Sequence, residues 1–368
     1  MPMLAKSPAS LSRVLPIALV AHVCTGAWLT SATVYFAELE HIGSIRAPAI
    51  ASAAIGLSYL VTIVLAAMTS LRHLRVGLAL IALGFFVQAI WPWAGSILVV
   101  CGVGLHRPAL IGVIGRSDPN RLRAFQGYNI VINVGYLLGG FLADLVRLNV
   151  GYGWLFAGLG FVTTLALLGS LRLGPSSEVP PEPLRALPTL PTRATVLSIL
   201  TAVAVFYFVM SLVSTVFSLV AEQQTTLKAG TLGGLHGGFV LLIMALFAAA
   251  KLSTEAPRSL ALGIGLWALA LGLLAVSPVP VHSGLLIVAL LFMSIGEALT
   301  GPNLMALGSR LAGLSSNAYW AAATLGYGGC MAYNLGWLER GQANHFGYVA
   351  LGCAVLALLA VVARRPRP

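Results

Sequence analysis

The sequence predicts an all-α polytopic membrane protein of about 12 transmembrane helices in two six-helix halves. Three observations predict this. The chain is 58% hydrophobic and only 8% charged over 368 residues, whereas soluble domains carry roughly 25% charged residues. Its apolar residues fall in long runs separated by short polar loops. Midway, one stretch is Pro-rich and too polar to span.

About 20 predominantly apolar residues are needed to cross the hydrocarbon core. That length predicts spans at Val14–Phe36, Pro48–Met68, Val76–Trp91, Gly95–Ile114, Ala124–Val146 and Tyr152–Leu171. The first run is too long for a signal-peptide core and lacks a small-residue cleavage pattern before Glu38 and Glu40, so it reads as a retained span. From Arg172 to Arg193 the chain is broken by Pro175, Pro180, Pro181, Pro183, Pro188 and Pro191, among charges of both signs. It reads as a linker between a half at 1–171 and a half at 194–368. Six further spans follow: Ala194–Val220, Thr231–Ala250, Ser259–Val276, Ser283–Leu307, Asn317–Leu338 and Phe346–Val362.

Lys and Arg set the orientation. With the N-terminus inside, only Arg46, Arg147, Lys228 and Arg340 fall outside. The positive-inside rule thus predicts a plasma (inner) membrane protein with both termini and the linker in the cytoplasm. The net charge of +11 is spread over these loops and forms no solvated patch, which argues against nucleic acid as a partner. The expected partners are membrane lipids, a small-molecule substrate and, where transport is coupled, protons.

No phosphate-binding Gly-x-x-x-x-Gly-Lys, no His-Glu-x-x-His and no Gly-x-Ser-x-Gly occurs, so neither ATP-driven nor hydrolytic chemistry has a visible apparatus and no enzyme is expected. Cys24, Cys101, Cys330 and Cys353 lie in apolar runs without Cys-x-x-Cys or His spacing, and read as core or lipid-facing thiols. No metal or cofactor is expected.

The halves echo each other locally. Pro108 precedes Arg116 by eight positions, as Pro302 precedes Arg310 by eight, and an aromatic-bearing segment follows each. A weak repeat around a cytoplasmic linker suits the major facilitator architecture, in which two halves rock about a central site. Ionisable groups inside spans cost on the order of 2.5–3.5 kcal/mol each on insertion scales, so they usually line a cavity or pair. Arg107 in the fourth span and Glu297 in the tenth are the leading candidates. A guanidinium suits a carboxylate and a glutamate suits an ammonium group, so the two would fit a zwitterion; a structural ion pair between them stays open.

Gly104-Leu105-His106-Arg107-Pro108, then Tyr128-Asn129-Ile130-Val131-Ile132-Asn133-Val134-Gly135, then Gly153-Trp154, resembles the signature of the proton-dependent oligopeptide transporter (POT) family of the major facilitator superfamily. Gly296-Glu297-Ala298-Leu299-Thr300-Gly301-Pro302, followed by Leu311-Ala312, is similar to the same family's tenth span. The resemblance implies a secondary transporter of a small peptide-like solute by alternating access. It places Arg107 near the substrate carboxylate, Glu297 near its amino group, and Tyr128, Asn129 and Asn133 along the same cavity. Asn129 stands where the family has a substrate-binding tyrosine.

The departures concern proton coupling. The family's Glu-x-x-Glu-Arg of the first span aligns with Ala18, Ala21 and His22, and its seventh-span glutamate with Ser211. Glu297 and His22 remain as proton-coupling candidates. Such losses also suit an alternative: an exporter of a metabolite or drug-like amphiphile on the same scaffold. His106 and His236 read as hydrogen-bonded packing residues. Gly135 and Gly139, with Gly326, Gly328 and Gly329, read as close helix packing, and Trp91 and Trp93 as an interfacial belt.

Overall fold

The computed structural model describes residues 11–39, 47–65, 70–117, 121–173, 193–250, 257–277, 280–310 and 314–338, with 349, 351–353 and 355. Before the linker come α1 (Leu11–Leu39), α2 (Ala47–Val64), α3 (Leu71–Gln88), α4 (Pro92–Ser117), α5 (Arg121–Val150) and α6 (Tyr152–Leu171). After it come α7 (Arg193–Leu212), a π-helical turn at Val213–Phe217, α8 (Ser218–Gln224), α9 (Ala229–Ala249), α10 (Pro257–Ala275), α11 (Ser283–Arg310) and α12 (Leu314–Leu338). Segments α7 and α8 run on through the π turn as one rod, the predicted seventh span. Among the described residues, eight helices are long and apolar enough to cross a membrane, and two shorter apolar helices lie at Ala53–Val64 and Ser259–Ala275. The central linker and most of the last predicted span lie outside the described residues.

The bundle is apolar on its outside and polar within. Val64, Trp154, Leu246 and Val276 are exposed, while His106, Asn133, His236 and Glu297 are buried. Lipid contact accounts for the first set and an internal cavity for the second. Trp91 and Trp93 are exposed at the α3–α4 corner, as an interfacial belt requires, and Trp93 also stacks on Phe36 at 5.2 Å. Cys24, Cys330 and Cys353 are buried and Cys101 is half-buried.

Lipid tails are as apolar as leucine, so helix contacts here depend on close approach. Helix α5 is the main example. A Cβ on Gly135 would lie 2.5 Å from the His22 Cβ of α1, and one on Gly139 would lie 2.7 Å from the Ala27 nitrogen. Gly140, on the neighbouring face, presses α9: a Cβ there would collide with the Gly230 carbonyl. Gly326 of α12 meets α7 in the same way, at the Ala204 carbonyl. Gly328 does not, because a Cβ there would meet nothing within 4 Å, and the packing role expected of it is withdrawn. Between α5 and α6 the chain reverses at Gly151, whose φ of 88° lies in the left-handed region that suits glycine.

Gly140→Ala is expected to destabilise the protein by roughly 1–3 kcal/mol, the usual range for overpacking. Gly158→Ala, where nothing lies within 4 Å of the new Cβ, serves as the control. It should leave stability unchanged or raise it by up to about 1 kcal/mol. Thermal unfolding in detergent compares them; equal midpoints would contradict the backbone contact at Gly140.

Arg75 holds the α3 and α6 ends together, donating to the carbonyls of Ser170 and Leu173 at 3.1 and 2.7 Å. Both carbonyls lie at the α6 end, where a helix leaves its last carbonyls short of intrahelical partners; that of Ser170 also accepts from the Leu173 amide at 3.1 Å. His73 closes a capping box with Ser70 at the start of α3. Two of the basic residues at 72–75 are therefore engaged in ending and starting helices.

Candidate functional site

A cavity of about 140 Å³ lies at the centre of the bundle. Helices α1, α2, α4, α5, α7, α9, α11 and α12 and the π turn all contribute to its wall.

Its polar floor on the α4 side follows from a proline. Pro108 has no N–H, so the Gly104 carbonyl four residues earlier loses its helical partner. The Thr62 hydroxyl of α2 is shared between that carbonyl and the Ser58 carbonyl one turn back, both at 2.9 Å. The approach is close because Gly104 lacks a side chain: a Cβ there would lie 2.6 Å from the Ser58 carbonyl. One turn on, Arg107 directs its guanidinium into the cavity and donates to Ser58 Oγ at 3.5 Å. Thr62→Val, which keeps shape but leaves the Gly104 carbonyl without its α2 donor, is expected to cost about 1–3 kcal/mol. Thermal unfolding beside Thr62→Ser, which keeps the hydroxyl, checks this.

Tyr128 on α5 and His22 on α1 complete this side. The His22 Nε2 and the Tyr128 hydroxyl are 3.0 Å apart, and the His106 ring lies 6.4 Å from that of His22. His106 is buried and its Nε2 has no hydrogen-bond partner. It lines the cavity beside Arg107, without the hydrogen bond expected of it at that nitrogen.

Across the cavity stands Glu297 on α11. Its Oε2 lies 2.7 Å from Nε2 of His236 on α9, and the Nδ1 of the same ring lies 2.9 Å from Ser294 Oγ. His236 is buried and hydrogen-bonded, as expected, and its partners are Ser294 and Glu297. The structure brings Arg107 and Glu297 to one cavity, and the partner of Glu297 is His236.

The other sequence candidates divide. Asn133 lines the cavity, its amide donating to the Asn129 carbonyl at 2.9 Å. Asn129 itself lies off the lining, fully buried, with its amide 3.3 Å from Met244 Sδ of α9. Aromatic side chains in the wall come from Tyr136, together with Trp28, Phe206, Tyr207 and Tyr327. Tyr128, Ile132 and Tyr136 follow a four-residue spacing on one face of α5, a signal present in the sequence. Ala18 and Ala21 pack in an apolar cluster with Leu74, Leu110 and Phe125, and Ser211 is buried off the lining. Val213 and Ser214 of the π turn reach the cavity, where the extra residue of the wider turn re-aims them.

A second polar cluster, which the sequence did not reveal, sits at the far end of α5. Arg147 bonds Asp144 at 3.0 Å and Glu222 of α8 at 2.8 Å, with Glu38 of α1 at 4.0 Å. These carboxylates also solve a local problem. Lys228 precedes α9 without a side-chain cap, so the first amides of that helix need acceptors. Asp144 takes those of Gly230 and Thr231, and Glu222 takes that of Ala229 at 3.0 Å. Among the described residues, no group of three or more His, Cys, Asp or Glu side chains is placed to hold a metal ion.

No protein-family model matches the sequence, and no curated protein does either. Solved structures do match. A glutamate-to-glutamine mutant of a POT peptide transporter superposes with a TM-score of 0.81 at 16% identity, covering 98% of this chain and 97% of that one. A bacterial homologue of the human drug peptide transporters gives 0.76 at 16%, covering 96% and 98%. A POT family transporter in complex with 5-aminolevulinic acid gives 0.74 at 15%, covering 96% and 95%. The chain has the fold of the POT peptide transporters. With its apolar helices, this makes it a multi-pass membrane protein of the major facilitator fold.

Proposed function

We propose that this protein is a secondary active transporter of a small peptide-like solute bearing an amino and a carboxyl group. It works by alternating access in the plasma (inner) membrane. The observation that carries this is the placement of Arg107 and Glu297 in one central cavity, on helices from either side of the linker. Arg107 receives the carboxylate, Glu297 the ammonium group, and the aromatic side chains between them the body of the solute. The complex of a POT-fold neighbour with 5-aminolevulinic acid supports such a ligand. Both termini and the linker lie in the cytoplasm by the Lys and Arg distribution, and the halves at 1–171 and 194–368 rock about the cavity. In that orientation the Arg147 cluster lies at the outer end. It ties α5 to α8 and α9 and has to separate when the cavity opens outward.

The test is thermal-shift binding of dipeptides, amino acids and amphiphilic amines to the purified protein. A ligand at about 100 times its Kd stabilises by about 2.7 kcal/mol, so a dipeptide such as dialanine is expected to raise the midpoint measurably. No shift with any amino- and carboxyl-bearing solute would reject this function. A shift with amphiphilic amines alone would favour the exporter, a reading supported by the aromatic wall and by alanines at the first-span positions.

A further inference from the structure

The hydrogen bonds around His236 fix more than its position. Helix α9 is pressed against α1 and α5 through Gly233 and Gly237, a Cβ on the latter lying 2.5 Å from the Asn133 carbonyl. The imidazole on that helix is thereby held towards α11. Ser294 has one hydroxyl proton, and the hydroxyl lies 2.8 Å from the Leu290 carbonyl one turn back, the usual bond of a serine inside a helix. With that proton committed, Ser294 Oγ accepts, and the His236 Nδ1–H donates to it at 2.9 Å. The other ring nitrogen faces Glu297 Oε2 at 2.7 Å, a distance that requires a proton between them. That proton sits on Nε2, giving imidazolium and carboxylate, or on Oε2, giving neutral imidazole and carboxylic acid. Either way the pair is neutral and holds one exchangeable proton.

We propose that His236 and Glu297 form the proton site of this transporter, and that the proton and the substrate ammonium group exclude each other there. This rests on the reading of Glu297 as the ammonium receptor. When the ammonium group donates to Glu297 Oε2, the shared proton leaves through the cavity to water. His236 is left neutral and donating to Ser294, and Glu297 is left ionised against the ammonium group. One proton is released for each ammonium group bound. The titratable groups facing this dyad across the cavity are His106 and Arg107 from α4, His22 from α1, Tyr128 and Tyr136 from α5, Tyr207 from α7 and Tyr327 from α12. None of them is a carboxylic acid, so among the described residues the displaced proton has no second carboxylate in the wall to receive it.

The experiment uses purified full-length protein in weakly buffered detergent with a pH indicator, dialanine as probe, and binding measured on the same sample. About one proton per bound dialanine is expected from the wild type, and less than about half of one from His236→Gln, whose amide cannot hold the shared proton. Binding without proton release in the wild type, or equal release from the variant, overturns the proposal. If dialanine does not bind, the substrate reading fails and the dyad is judged without ligand. Infrared difference spectra of wild type against Glu297→Gln, from about pH 5 to about pH 9, should then show a single proton lost from the pair, read as one carboxyl or one imidazole band. That band should shift or vanish in His236→Gln. A carboxyl signal that His236→Gln leaves unaltered overturns the shared proton.

Discussion

Glu297→Gln is expected to weaken binding of an amino- and carboxyl-bearing solute by roughly 10- to 100-fold while leaving the fold intact. Glutamine keeps the shape and can still hydrogen-bond His236, so the α9–α11 contact at 2.7 Å need not be lost. What disappears is the negative charge. A hydrogen bond to a charged partner contributes about 1.5–3 kcal/mol, which corresponds to that range of affinity. Arg107→Gln should produce a loss of similar size on the carboxylate side, and the two single losses should not add where one solute bridges both groups. The measurement is dipeptide uptake into proteoliposomes, with thermal unfolding as the check on folding. Uptake preserved in both variants at wild-type stability would remove Arg107 and Glu297 from the site.

Arg147→Met is expected to cost about 3–5 kcal/mol of stability, the penalty for removing one partner of a buried ion pair. The Arg147 side chain is only 3% exposed and that of Asp144 8%, so Asp144 would keep its charge without its cation. Glu222, at 16% exposed, is better solvated and should lose less. Asp144 would still accept from the first amides of α9, which tempers the penalty without cancelling it. Thermal unfolding of Arg147→Met and of the double variant Arg147→Met with Asp144→Asn tests this. The second change should recover part of the loss, because the buried negative charge goes with it. A double variant less stable than the single one would mean that Asp144 acts mainly by capping α9.

Much of the architecture was legible in the sequence because a bilayer makes strong demands on composition. Span length, scarcity of charge and the Pro-rich break follow from the cost of exposing backbone to hydrocarbon, and they forecast the helices that the structure contains. The same cost singled out Arg107 and Glu297, since a charge placed inside a span has to be accounted for. His236 and His106 were harder to read. An imidazole is small, amphipathic and uncharged in one form, so its presence inside a span does not distinguish packing from a site. Only the facing helix decides that.

The sequence by itself therefore determined the class of solvent this chain lives in, the order of its predicted spans, and two of the charges that lie within them. These are properties of each segment taken alone. The tertiary structure decided the partners. It gave Glu297 to His236, moved Asn129 off the cavity and replaced it with Tyr136, and gathered Asp144, Arg147 and Glu222 around the first turn of α9. Those pairings depend on helix rotation and on close approach at Gly104, Gly135 and Gly140, which set which faces meet. Hydrophobicity along one segment carries no record of a face on another, so this part of the site took form only when the helices packed.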